Sequence, residues 1–257
     1  MRPKDQTDMG GLRESFLTTH WSLIEGIQKH RDKDRSLIGL LLERYWKPVY
    51  CYLRRKGYPN EEAKDLTQGF FHEIVLNRRL VERADSSKGR FRSFLLHALD
   101  QYLIDRMRRE STQNHIPKEK LVPLEITNPP ELPEIILERS PEDCFAYTWK
   151  SELLERTLSQ VQADCEQQGL EQHWCIFRDK VLEPTVNKKE SEPMKVIAAK
   201  YEIKSESAAF NMLLTVKRRF KASLRTNLRM TVISEADIDE EWQEMLSFFG
   251  NSKQKSE

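Results

Sequence analysis

Residues 88–110 read KGRFRSFLLHALDQYLIDRMRRE, and their spacing decides the fold class. Phe91, Phe94, Leu95, Ala98, Leu99, Tyr102 and Leu103 recur every three or four residues, which predicts a helix with one apolar stripe turned to a core. Arg90 and Arg92 stand at its start, and Arg106, Arg108 and Arg109 at its end. Two readings fit this stretch. It is either a core helix with charged ends, or a helix that offers arginines to phosphates and rings to unpaired bases.

The rest of the chain is also helical in pattern. Only 9 glycines occur in 257 residues, and runs of alternating apolar residues are few, which predicts an all-α protein. Six of the 11 prolines fall between Pro117 and Pro141, marking an extended linker. The predicted organisation is a first helical domain over 17–112 and a Pro-rich linker over 113–139. A second helical domain over 140–232 and an acidic amphipathic tail over 233–257 follow.

In the first domain TTHWSLIEGIQKH predicts a short capped helix. Ser36 to Arg55 predicts a longer one, with Pro48 as a kink and Gly57 as a stop. Asn60 is placed as the cap of the next helix, with Glu61 and Glu62 in its first turn. In that helix Ala63, Leu66, Phe70 and Ile74 form a core stripe, and Glu61, Asp65, Gln68 and His72 a polar row. Phe71 beside the row is expected to be partly exposed, as on a protein-binding surface. The plainer alternative is a solvated polar face.

In the second domain SPED, from Ser140, combines a capping Ser, Pro at the first helical position and acids behind it. Further on, Lys195 to Tyr201 predicts a short helix, followed by a tight turn and a second helix opening at Ser205. This is helix-turn-helix spacing. Between Asn211 and Arg229 come Lys217, Arg218, Arg219, Lys221, Arg225 and Arg229 without one acid, a pattern that points to phosphate contacts. The tail has six acids between Glu235 and Glu244 and no base. Ile238, Trp242, Met245, Leu246 and Phe249 give it an apolar stripe, so it is expected to fold back. It then either brings its acids toward Lys217, Arg218 or Arg219 and restrains DNA binding, or only completes the domain core.

Formal net charge is +1, charged residues make up 32% and mean hydropathy is −0.69. A DNA-binding chain with this balance needs its positive charge to be local, or a partner that brings it to DNA. No apolar run reaches the roughly 18 residues of a membrane span, and MRPKDQTDMGGLRESF has no signal-peptide core. Cys51, Cys144, Cys165 and Cys175 form no CxxC pair and no zinc spacing, and His173 with Cys175 lacks two further ligands. The expectation is a cytoplasmic protein without metal or cofactor. GxSxG, GxxxxGK, GxGxxG and HExxH are all missing, so no catalytic residues are assigned and the chain is not expected to be an enzyme.

Together these stretches resemble an extracytoplasmic-function (ECF) RNA polymerase sigma factor. RYWKPVYCYLRRKGYPNEEAKDLTQGFFHEIV (44–75) is similar to the family's first conserved block. Residues 88–110 resemble its promoter-opening block, and MKVIAAKYEIKSESAAFNMLLTVKRRFKASLR (194–225) its C-terminal helix-turn-helix. TTHWSLI and RMTVISEADIDEEWQEMLSFFG resemble one ECF subgroup, so the likeness covers nearly the whole chain.

The resemblance implies a protein that brings core polymerase to promoters and starts transcription by recognising and melting them. Its partners would be bacterial core RNA polymerase, through the β′ clamp helices and the β flap, promoter DNA, and an anti-sigma factor or other regulator. Carried over by position, Asp65, Gln68, Phe70 and Phe71 would bind core polymerase. Arg90, Arg92, Phe94, His97, Gln101, Asp105, Arg108 and Arg109 would meet the −10 element. Ser205, Glu206, Ser207, Phe210, Asn211, Lys217, Arg218 and Arg219 would meet the −35 element. Three departures stand out: Phe94 replaces the family's usual Trp, Glu202 a turn Gly, and Lys204 a Ser or Thr cap, a role left to Ser205. The rival readings are a free helix-turn-helix regulator, for which no dimerisation heptads are seen, and a polymerase-binding adaptor that no longer reads promoters.

Overall fold

A computed structural model describes residues 35–76, 90–110, 139–232 and 235–250. All regular structure among them is helical. The expected first helix (TTHWSLIEGIQKH) and nearly all of the Pro-rich segment lie outside the described residues. The helices are α1 (Arg35–Arg55), α2 (Asn60–Leu76), α3 (Phe91–Glu110), α4 (Pro141–Gln167), α5 (Glu171–Phe177), α6 (Glu183–Val186), α7 (Met194–Lys200), α8 (Glu206–Arg229) and α9 (Glu235–Gly250); a π-helical turn, Arg178–Leu182, joins α5 to α6. No described helix is long and apolar enough to cross a membrane.

Local chemistry sets most of the boundaries. Pro48 lies inside α1 without ending it. The chain then turns at Gly57, whose φ of +100° suits a residue without a Cβ. Glu61 and Glu62 fill the first turn of α2. Asn60 is the first residue of α2 and not its cap: the Ala63 amide donates to Pro59 O at 2.8 Å, and Asn60 Oδ1 accepts from the Tyr50 hydroxyl at 2.6 Å. α4 begins as the SPED pattern predicts: Ser140 Oγ accepts from the Asp143 amide at 3.1 Å, Pro141 holds the first position, and Glu142 and Asp143 face the positive helix end.

The buried side chains gather in two clusters. The first takes Tyr45, Val49, Tyr52 and Leu53 from α1, Leu66, Phe70 and Phe71 from α2, and Phe91, Leu95, Leu99 and Tyr102 from α3. Cys144, Phe145, Trp149 and Leu153 of α4, Leu224 and Leu228 of α8, and Ile238 and Met245 of α9 complete it. The second holds Val161 and Cys165 of α4, Trp174, Ile176 and Phe177 of α5, Ile197 and Ala198 of α7, and Ala209, Leu213 and Val216 of α8. The clusters therefore exchange inside α4, between Leu153 and Val161, and inside α8, where Phe220 packs on both. Asn227 Nδ2 donates to Thr157 Oγ1 at 2.9 Å and ties the two long helices where the cores meet.

Gly69 lets α2 and α3 approach. A Cβ there would collide with the Tyr102 hydroxyl of α3. Helix propensity alone favours Ala over Gly by about 1 kcal/mol, whereas overpacking costs roughly 1–3 kcal/mol. Gly69→Ala is expected to lower the melting temperature in the native background. In a Tyr102→Phe background, where the colliding oxygen is gone, the same change is expected to raise it. Thermal melts of the four proteins measure both signs.

Candidate nucleic-acid interface

α3 buries the predicted stripe: Phe91, Leu95, Ala98, Leu99, Tyr102 and Leu103 are in the core, and Phe94 is half-buried with its ring 6.1 Å from that of Phe91. Its opposite face is open. His97, Gln101, Asp105 and Arg108 are exposed, Arg108 with 77% of its side chain accessible, and Ile104 and Met107 are exposed beside them. At 100° per residue His97, Gln101 and Arg108 share one line along the helix, with Phe94 and Asp105 flanking it. The side chain of Arg109 lies outside the described residues.

Arg90 belongs to the same line, since seven residues to His97 and eighteen to Arg108 are close to whole turns. It is half-buried. Its guanidinium meets Glu244 Oε1 at 2.5 Å, Glu240 Oε2 at 3.0 Å and Glu241 Oε1 at 3.1 Å, all on α9. Arg92 pairs with Glu241 and with Glu244 Oε2 (2.9 Å), and lies over the Trp149 ring at 4.9 Å. Lys150 Nζ is 3.7 Å from Glu244. Glu241 has no accessible surface. Burial works to raise the carboxyl of Glu244, but the charges of Arg90, Arg92 and Lys150 outweigh it and hold Glu244 below the ordinary carboxylate range.

The tail thus folds back as a helix, with Ile238 and Met245 buried and Trp242 packed on the first cluster, but its acids find other partners than expected. They reach α3 and Lys150. Against α8 they reach Arg225, 3.1 Å from Asp239, while Lys221 lies over Trp242 at 5.7 Å. Lys217, Arg218 and Arg219 are not among the described partners of α9. The reason is geometric: α9 follows the end of α8 and returns along its last turns, whereas 217–219 lie further back, toward the second cluster.

The matches to the polymerase-binding block divide between surface and core. Asp65 is exposed and Gln68 half-buried, but Phe70 and Phe71 are both buried, 5.3 Å apart edge to face. The expected exposure of Phe71 is corrected. α2 touches α1 on one side and Tyr102 of α3 on another, so it buries two stripes, and adjacent positions can each fall on one. His72 is buried for the same reason.

At the helix-turn-helix, α7 ends in a Schellman turn: the Ile203 amide donates to Ala198 O (2.9 Å) and the Glu202 amide to Ala199 O (3.2 Å). Glu202 has φ +54°, the left-handed conformation in which Glu costs roughly 1 kcal/mol against Gly. Ser205 Oγ accepts from the Ala208 amide at 3.1 Å and opens α8. Glu206, Ser207 and Asn211 are exposed, as are Phe210 (52%), Lys217 and Arg218, and Arg219 is half-buried.

One group at this site was not foreseen. Asp179, in the π-helical turn, accepts from the Tyr201 hydroxyl (2.6 Å), Lys200 Nζ (2.7 Å) and Arg178 Nε (2.9 Å). It thereby pins the end of α7 ahead of the turn. Its only sequence signal is a lone Asp between basic neighbours. No metal-binding group of His, Cys, Asp or Glu occurs among the described residues.

No family model, curated protein or solved structure matches the chain.

Burial works to raise the Asp179 carboxyl, but the hydrogen bonds from Lys200, Tyr201 and Arg178 outweigh it and leave it below the ordinary aspartate value. A carboxyl depressed in the folded state adds stability above its unfolded pKa and loses it as pH falls. Asp179→Asn should therefore melt earlier than the native protein at pH 7. The gap should close as pH falls below the ordinary aspartate value of about 3.9. Melting curves of both proteins from pH 7 to pH 3 measure it.

Proposed function

We propose that this chain is a transcription initiation factor of the ECF sigma type, which carries core RNA polymerase to promoters and holds the melted strand. The observation that carries this reading is the exposed face of α3. A line of His97, Gln101 and Arg108 beside half-buried Phe94 offers hydrogen bonds, a cation and part of a ring to an unpaired strand, while the stripe behind it is committed to the core. A turn with a left-handed residue leading into a capped helix, and the exposed Glu206, Ser207, Phe210 and Asn211 at its start, support a second contact with duplex DNA. The near-neutral charge supports delivery by polymerase over unaided binding. On this reading Asp65 and Gln68, rather than Phe70 and Phe71, would meet the polymerase.

The two surfaces separate experimentally. His97→Ala with Arg108→Ala should leave co-purification with bacterial core polymerase unchanged and reduce permanganate-reactive thymines at the promoter about tenfold, since a hydrogen bond to a charged group is worth roughly 1.5–3 kcal/mol. Asp65→Ala with Gln68→Ala should instead reduce co-purification. If neither pair affects its own readout, the assignment of the two surfaces fails.

A further inference from the structure

We infer that α9 is an internal competitor for nucleic acid. Glu240, Glu241 and Glu244 hold the Arg90 guanidinium beside Arg92 and Lys150, and the phosphate backbone of a single strand takes Arg90 when α9 moves away. The inference rests on the reading of α3 as the strand-facing helix, and it adds an occupant and a control to that face.

Three observations support it. First, the charges match: three carboxylates of one helix meet three cations from two other elements, and Arg90 alone contacts all three. Second, Arg90 continues the exposed line of His97, Gln101 and Arg108. With Arg90 covered, the described charges of that line are Arg108 and Asp105, which lie 3.8 Å apart. Uncovered, it gains a guanidinium in line with the ridge. Third, α9 also engages the other basic element, through Asp239 with Arg225 and Trp242 with Lys221. One acidic helix therefore touches both the start of α3 and the basic α8. A carboxylate and a phosphate cannot hold the same guanidinium edge together, so the two states exclude each other.

The test uses the full chain without polymerase, so its failure is distinguishable from failure of the transcription reading. A fluorescent oligo-dT strand is titrated over a range of salt concentrations. Against the native chain, Glu240→Gln/Glu241→Gln/Glu244→Gln should bind roughly tenfold tighter at low salt. Its log–log salt slope should steepen by about 0.7, for the one cation released. Adding Arg90→Ala should abolish the gain, and adding Arg92→Ala should not. If the triple variant does not fold, by circular dichroism and melting, Glu240→Gln/Glu244→Gln keeps the buried Glu241 and should still steepen the slope. An unchanged slope and affinity in a folded variant would overturn the inference, as would a gain that survives loss of Arg90.

Discussion

A carboxylate with no accessible surface, Glu241, lies against the guanidinium groups of Arg90 and Arg92. Burying an ion costs several kcal/mol unless its partners are well placed, and removing one partner of such a pair costs about 3–5 kcal/mol. The contact is therefore strongly directional. It joins α9 to the beginning of α3, across 149 residues of sequence from Arg92. The roll of α3 is set by its own apolar stripe, which faces the core from Phe91 to Leu103 and leaves His97, Gln101 and Arg108 facing out.

The long helices carry this order across the molecule. α4 and α8 each contribute to both apolar clusters, and α9 packs where the C-terminal half of α8 meets the first. In the proposed function this gives the acidic helix two neighbours that matter: the start of the strand-facing helix and the last turns of the basic helix behind the helix-turn-helix. On that proposal, a chain of net charge +1 keeps Arg90 covered until polymerase supplies the DNA.

Much of this was legible in the sequence, where one residue's chemistry or one helix's periodicity was enough. The stripe of α3, the Ser140 and Ser205 caps, the turn before α8 and the apolar stripe of the tail depend on neighbours only a few positions away. Phe71 was not legible, because periodicity shows that a helix has a buried face but not that α2 has two. The partners of α9 were not legible either. Spacing placed the six acids on a helix, but the choice between Lys217–Arg219 and Arg90 with Arg92 depends on how the chain returns from Arg229. Asp179 was missed because its three donors come together only through the π-helical turn.

Run-off transcription tests the central claim most directly: purified bacterial core polymerase, with and without the full chain, on a pool of genomic fragments. The account predicts discrete transcripts from a subset of fragments only when the chain is present, and none from the chain alone. Absence of any chain-dependent start site, together with sequence-specific duplex binding by the chain without polymerase, would contradict it.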